Sequence, residues 1–554
     1  MKIDVHSLYG RRNVNRWERM SVGDMLERIT YSFPDKEAFV AWEGAYAHPS
    51  NKRITYLEAD RKANQFANAL LEKGLQRGDR ILLLCDNSVE AFLTKIAIAK
   101  AGLVAVPVNT MMAPDVISYL ITYVEPEMLI IDAEHWENVG SIFEEHQLMP
   151  AVTIPIGGEV IAGSQSFEAF IEGKSTEAPE VEIHGDDIWE MLFTSGTTSM
   201  PKCVMISHTY TYMAAYSFAL SLTRGVLNES QVKLCGFLPV IYHIADVAFV
   251  FSVFLSGGTF IIGRKLDKKR IAEAISEEKV TALYGGSTTF LKEFTDYLYE
   301  NRNKYDATSL KVILYAWASF SPEYAERLQK LCGDSLSFFE MLGQTESIAS
   351  FRFWHDLWPE TYKDNAPAVN YVGVPAPILS AALIDANGQQ IQEARVPGEA
   401  VYRSPAMMSG YYKDEEATKE AFKTGWFHSG DSCIYDENGL AIMLDRFKDV
   451  IKTGGENVSS LRVEAVIGQH PAVERAAVIG VPDEKWNERV VGIVVLKEQK
   501  EASEEEILTY CRKKLAGYET PKEIIFVKKL PSTVGGKILK HQLRKQFAET
   551  IVKG

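Results

Sequence analysis

The chain has 554 residues, 46% hydrophobic and 24% charged, which is more than one compact domain needs and excludes wholesale disorder, collagen or coiled coil. Its net charge of −15 excludes a general attraction to nucleic acid or anionic lipid. Six cysteines (Cys85, Cys203, Cys235, Cys332, Cys433, Cys511) form no C-x-x-C pair. Neither a disulfide framework nor a zinc site is signalled, and a reducing cytoplasm is the expected compartment.

The first twenty residues carry Arg11, Arg12, Arg16 and Arg19 without an apolar core behind them, unlike a signal peptide. Ala63, Phe66, Ala67, Leu70 and Leu71 predict one face of a helix that Gly74 ends. A strand is expected over 81–84, and Asp86-Asn87-Ser88 offers a cap for a helix over 89–101. Further strands are expected over 104–108 and 128–131. The alternation argues for a parallel sheet covered by helices. The uncharged run 247–263, broken by Gly257-Gly258, reads as buried helix, turn and strand rather than a membrane span. Around it the alternation returns, with strands over 233–238, 259–262 and 282–285 and a helix over 269–278. After Gly398 the texture turns to short strands and turns. After Arg446 a small α+β unit is expected, with helices over 460–469 and 503–515 and strands over 476–481, 490–496 and 524–527. The expected architecture is therefore α/β: a large domain, 1–445, of helix-covered sheets with a β-rich subdomain, and a mobile small domain, 446–554, hinged near 446–449.

Five clusters carry chemistry. In the first, an apolar strand runs into Thr194-Ser195-Gly196-Thr197-Thr198 and then Lys202. Hydroxyls and free N–H groups in a tight loop make an anion-binding concavity, and the lysine supplies charge. The string is not G-x-x-x-x-G-K-[ST], so it is no ordinary P-loop. The second is Leu342-Gly343-Gln344-Thr345-Glu346, where Gly343 permits close backbone approach and Thr345 and Glu346 suit a phosphate and its Mg²⁺. Alone, such a string is as readily a turn leading into a helix. The third ends in Gly430-Asp431, a carboxylate suited to a ribose diol. The fourth comprises Arg446, Phe447, Lys448 and Asp449 followed by Lys452, Gly454 and Gly455. The fifth is Val534-Gly535-Gly536-Lys537, a lysine on a glycine loop that can be delivered to a distant site as a point charge.

In this order the five clusters resemble the AMP-forming adenylate synthetases: acyl-CoA synthetases, peptide-synthetase adenylation domains and luciferases. The resemblance runs from Thr55-Tyr56 to Lys537, with further matches at Pro107, Gly398-Glu399, Gly410-Tyr411-Tyr412, Trp486 and Glu488. It implies that a carboxylate attacks the α-phosphate of ATP to give acyl-AMP and pyrophosphate, and that a thiol then takes the acyl group. Residues 194–198 and Lys202 would hold the β- and γ-phosphates, Thr345 the α-phosphate, Glu346 the Mg²⁺, and Asp431 the ribose with Arg446 beside it. Lys537 would offset charge during adenylation. His243 matches the gate between acyl pocket and thiol channel, although a satisfied core histidine is its plainer reading. Ala316-Trp317-Ala318 matches the small-residue segment beside adenine and acyl group. Lys448 falls at the family's hinge. Tyr242, Ser287, Ala316, Trp317 and Gly343 would line the acid's pocket.

The chain departs from the family at Ser199 and Cys203, where glycine is usual; at Leu342, where an aromatic stacks on adenine; at Trp317, in place of a small residue; and at Ser460, in place of proline. Trp317 would either lie over adenine or cut into the acyl pocket. The leading expectation is a stand-alone acyl-CoA synthetase using ATP, Mg²⁺ and CoA, monomeric or homodimeric, without a fused carrier domain after Lys537. The alternatives are an acyl-AMP ligase loading a separate carrier protein, and a non-catalytic nucleotide-binding relative. An amino-acid substrate would need a buried carboxylate, which only Asp246 offers.

Overall fold

A computed structural model describes residues 16, 19–42, 44–194, 200–483, 485–533 and 536–551. The described residues form three sheets. One, of eight strands, is parallel through Val104–Pro107, Arg80–Leu84, Met128–Asp132 and Pro150–Ile154. At its other side Ile188–Phe193 pairs antiparallel with Cys203–Ser207. A fourteen-stranded sheet has a parallel half, Glu37–Ala41, Thr259–Ile262, Lys233–Gly236, Ala282–Ser287, Val312–Ala316 and Ser337–Gln344. It continues antiparallel from Ser347–Trp354 through Ala441–Arg446 and Phe427–Tyr435 to Ser380–Ile384. The third sheet takes its five strands from residues 451–526.

Local chemistry accounts for the main helices. Tyr56–Glu72 begins with a reciprocal capping box, Thr55 with Glu58. Val89–Lys100 is capped by the Ser88 hydroxyl, which accepts from the Ala91 N–H, and is buried along its whole length. It lies in the core between the two large sheets, where even its charged Glu90 and Lys95 are buried and hydrogen-bonded, so it shows no amphipathic face. The run 247–263 is indeed helix, turn and strand, with Gly257 at φ 67° ending the helix. Its first turn is a π-helix, Asp246–Val250, which periodicity does not foretell. Nor does the sequence reading include the last helix, Lys540–Ile551, whose apolar stripe is short. Among the described residues no helix is long and apolar enough to cross a membrane.

Two glycines shape the route into the central cleft. Gly286, at φ 65° with Leu238 Cδ1 2.3 Å from where a Cβ would sit, makes the irregular step that ends Ala282–Ser287. Gly343 lets its strand close on the next, a Cβ there falling 2.4 Å from the Ile348 carbonyl.

Candidate active site

A cavity of about 1040 Å³ opens where the two large sheets meet the third. Onto its wall the fold brings Thr194, Lys202, Tyr242, His243, Ser287, Ala316, Trp317, Ala318, Leu342, Gly343, Gln344, Thr345, Glu346, Arg446, Lys448 and Lys537. Residues Ser195, Gly196, Thr197 and Thr198 lie outside the described residues. Lys452, Gly454 and Gly455 are not brought to the cavity. They form a separate hairpin, where the Gly454 N–H donates to the Trp486 carbonyl.

The groups that the sequence reading expects at the phosphates are positioned by neighbours. Lys202 sits with its ammonium 4.5 Å from the centre of the Tyr411 ring. The Tyr411 hydroxyl donates to Glu346 Oε1 at 2.9 Å. The backbone around Thr345 is clamped by Tyr210, whose hydroxyl donates to the Thr345 carbonyl at 3.0 Å and accepts from the Ile348 N–H at 2.9 Å. Tyr411 and Tyr210 carry no role in the sequence reading. Only the Gly410-Tyr411-Tyr412 match hinted at the first, and nothing at the second.

Asp431 and Arg446 face each other across paired strands, with Nε to Oδ1 at 2.6 Å. Arg446 also donates to the Ser429 carbonyl and to Gln344 Oε1. Burial pushes the Asp431 carboxyl up, while the Arg446 guanidinium opposes it. The turn before Asp431 is held by Glu399, which accepts from the Gly430 N–H at 3.0 Å and pairs with His428 at 2.8 Å.

Lys537 reaches the cavity on a loop whose Gly536 carbonyl accepts from Arg475 at 2.9 Å. Enclosure by protein, then the cations Arg446 and Lys448, lower its pKa. His243 is exposed on the cavity wall. Enclosure and the nearby Lys537 ammonium draw its pKa down to about 4, and its Nδ1 accepts from the Ala245 N–H at 3.2 Å. The imidazole is therefore neutral at pH 7.

The departures have physical accounts. Trp317 adopts φ 77°, a left-handed backbone that suits glycine and strains a bulky residue. Cys203 is buried within a strand at ordinary φ. Ser460 donates both its N–H and its hydroxyl to Asp445 Oδ2, at 2.7 and 2.5 Å, and proline offers neither donor. Asp246 is engaged already. Lys95, fully buried, donates to Asp246 at 2.6 Å, Glu190 at 2.5 Å and the Ile241 carbonyl at 2.9 Å. This knot ties strand Ile188–Phe193 to the segment after His243.

One cavity thus gathers Lys202, Thr345, Glu346 and Arg446 with Lys537 from late in the chain, a set of groups chemically able to hold phosphates. The AMP-binding enzyme model matches residues 26–412, and the AMP-binding enzyme C-terminal domain matches 462–537. The chain belongs to the AMP-binding enzyme family and is an AMP-forming enzyme. It is 31% identical over 510 residues to the long-chain-fatty-acid–CoA ligase FadD13 of Mycobacterium tuberculosis, covering 92% of this chain and 96% of that protein. A feruloyl-CoA synthase of an Amycolatopsis species is 28% identical over 517 residues, covering 93% and 98%. The crystal structure of ATP-bound MatB from Rhodopseudomonas palustris matches with TM-score 0.81 at 26% identity, over 95% of this chain and 99% of that one.

Proposed function

We propose that the chain activates a carboxylic acid with ATP, forming acyl-AMP and pyrophosphate, and transfers the acyl group to CoA. The observation that carries this reading is Lys537, which the fold brings onto the wall of the same cavity as His243, Thr345 and Arg446. There it offsets the negative charge that the acid's carboxylate and the α-phosphate bring together. Lys202 and the 194–198 segment hold the outer phosphates, Thr345 the α-phosphate, and Asp431 with Arg446 the ribose. Mg²⁺ suits the donor set: Glu346 is a hard oxygen ligand, and Tyr411 engages only one of its oxygens among the described residues. Glu346 would hold the ion, which when bound neutralises phosphate charge.

His243 gates the thiol's approach. Lys448 is the pivot about which residues 446–554 swing between the half-reactions, bringing Lys452, Gly454 and Gly455 to the cleft in the second. The acid is not an amino acid bound through Asp246, because Lys95 takes that carboxylate. Six free, buried cysteines agree with a cytoplasmic enzyme. The test is thioester formation from ATP over a broad acid panel, with CoA and with a carrier protein as acceptors. Acid-dependent pyrophosphate release with acyl-CoA as product is expected. Release without transfer to CoA would overturn the CoA assignment.

A further inference from the structure

The acyl side of the cavity holds a polar group for which the reaction has no use. Tyr284, on strand Ala282–Ser287, is 3% exposed and lines the cavity. Its ring packs on Phe249 with centroids 4.2 Å apart. Burial alone raises the pKa of its phenol, because no hydrogen-bond partner meets the hydroxyl among the described residues. Buried tyrosine hydroxyls ordinarily find a partner. Tyr210 and Tyr315, equally deep, donate to the Thr345 carbonyl and to Glu340. The side of Tyr284 left open is the cavity, where Leu238, Ile244, Met341 and Ile348 supply apolar walls.

Position along the strand gives a scale. Ser287 touches the Lys537 loop, since a Cβ on Gly536 would fall 2.9 Å from the Ser287 hydroxyl. At roughly 3.3 Å per residue, Tyr284 stands at most about 10 Å from that carboxylate end.

We propose that the Tyr284 hydroxyl is a specificity determinant that hydrogen-bonds an oxygen on the acyl chain. The acids selected have an apolar body carrying one hydroxyl, oxo or ether oxygen several bonds from the carboxyl. This rests on the reading of the cavity as an acyl-activating site. A site built to bond an oxygen rejects the analogue lacking it more strongly than an apolar pocket rejects an added one.

The experiment compares kcat/KM for matched acids, hexanoate against 4-, 5- and 6-hydroxyhexanoate and cinnamate against 4-hydroxycinnamate, in the wild type and Tyr284→Phe. Phenylalanine keeps the ring against Phe249, and a melting curve checks folding. Should Tyr284→Phe melt far below the wild type, Tyr284→Met is read in its place. The wild type is expected to favour one oxygenated acid by at least about tenfold, and the variant to bring that ratio within about threefold. Equal ratios in both proteins, or a wild type preferring the plain acids throughout, would overturn the proposal. If the wild type forms no thioester or adenylate from any acid, it is the activating function itself that fails.

Discussion

The Lys202 ammonium rests over the ring of Tyr411, and the hydroxyl of that same ring holds Glu346. One aromatic side chain therefore sets the spacing between the cation assigned to the outer phosphates and the carboxylate assigned to Mg²⁺. Lys202→Ala should raise the KM for ATP about ten- to a hundredfold, the worth of one charged contact, with little change in the KM for the acid. Tyr411→Phe keeps the ring and frees Glu346, so it should chiefly raise the Mg²⁺ concentration needed for half-maximal rate. Steady-state kinetics with ATP, acid and Mg²⁺ varied in turn check both.

Lys537 is predicted to serve one half-reaction only. Losing a preorganised charge contact in an enclosed site costs about 3–4 kcal/mol, or roughly two to three decades in rate. Lys537→Ala should lose pyrophosphate exchange by that factor, yet turn over supplied acyl-AMP and CoA near the wild-type rate. Both rates are measured on one preparation; normal exchange would remove Lys537 from the adenylation step.

Lys448 stands between Arg446, bound to Asp431, and Asp449, bound to Arg544. Proline fixes φ and removes an N–H, so Lys448→Pro should hold one arrangement of the two units. Adenylation is expected to survive while thioester formation falls at least tenfold, read by separate half-reaction assays.

Trp317 occupies a left-handed backbone position, at a penalty of about 1–2 kcal/mol for a residue with a Cβ. Trp317→Gly should relieve that strain, enlarge the cavity and raise kcat/KM for bulkier acids relative to slimmer ones. If the KM for ATP rises and acid preference stays, the indole serves adenine instead.

Glu340 is buried beside Tyr315, and burial lifts its pKa to about 8. The folded state thus favours the protonated acid. That contribution to stability is complete below the unfolded value near 4.5 and fades as pH rises through about 8. Glu340→Gln, which stays neutral, should melt higher than the wild type at pH 9 and differ little at pH 4.5. Thermal melts across that range decide it.

Much of the fold was legible because the strands of the parallel sheets are short apolar runs bounded by turn residues, as at Arg80–Leu84 and Thr259–Ile262. The cavity residues Lys202, Thr345, Glu346 and Lys537 sit in turns and loops whose glycines and hydroxyls stand out, and Arg446 at the end of a strand leading into such a segment. What escaped is held by long-range contact. Tyr210 meets Thr345 from a distant helix, Lys95 meets Glu190 and Asp246 across the core, and Tyr284 looks like any strand aromatic. The π-turn at Asp246–Val250 belongs to the same class, since it begins at the residue that Lys95 binds. Pattern and spacing carry no record of such pairings.

The helix after Lys537 bears on the swing proposed for residues 446–554. Lys540 is bonded to Glu464 at 2.8 Å and to the Ser460 hydroxyl, and Arg544 to Asp449 at 2.6 Å. Ser460 in turn grips Asp445. Lys537 is thus the tip of a braced lever whose other end is bolted beside the 446–449 segment. Any rotation there must carry the lysine through an arc fixed by the brace, so cutting Arg544, which does not line the cavity, should blur where the ammonium arrives.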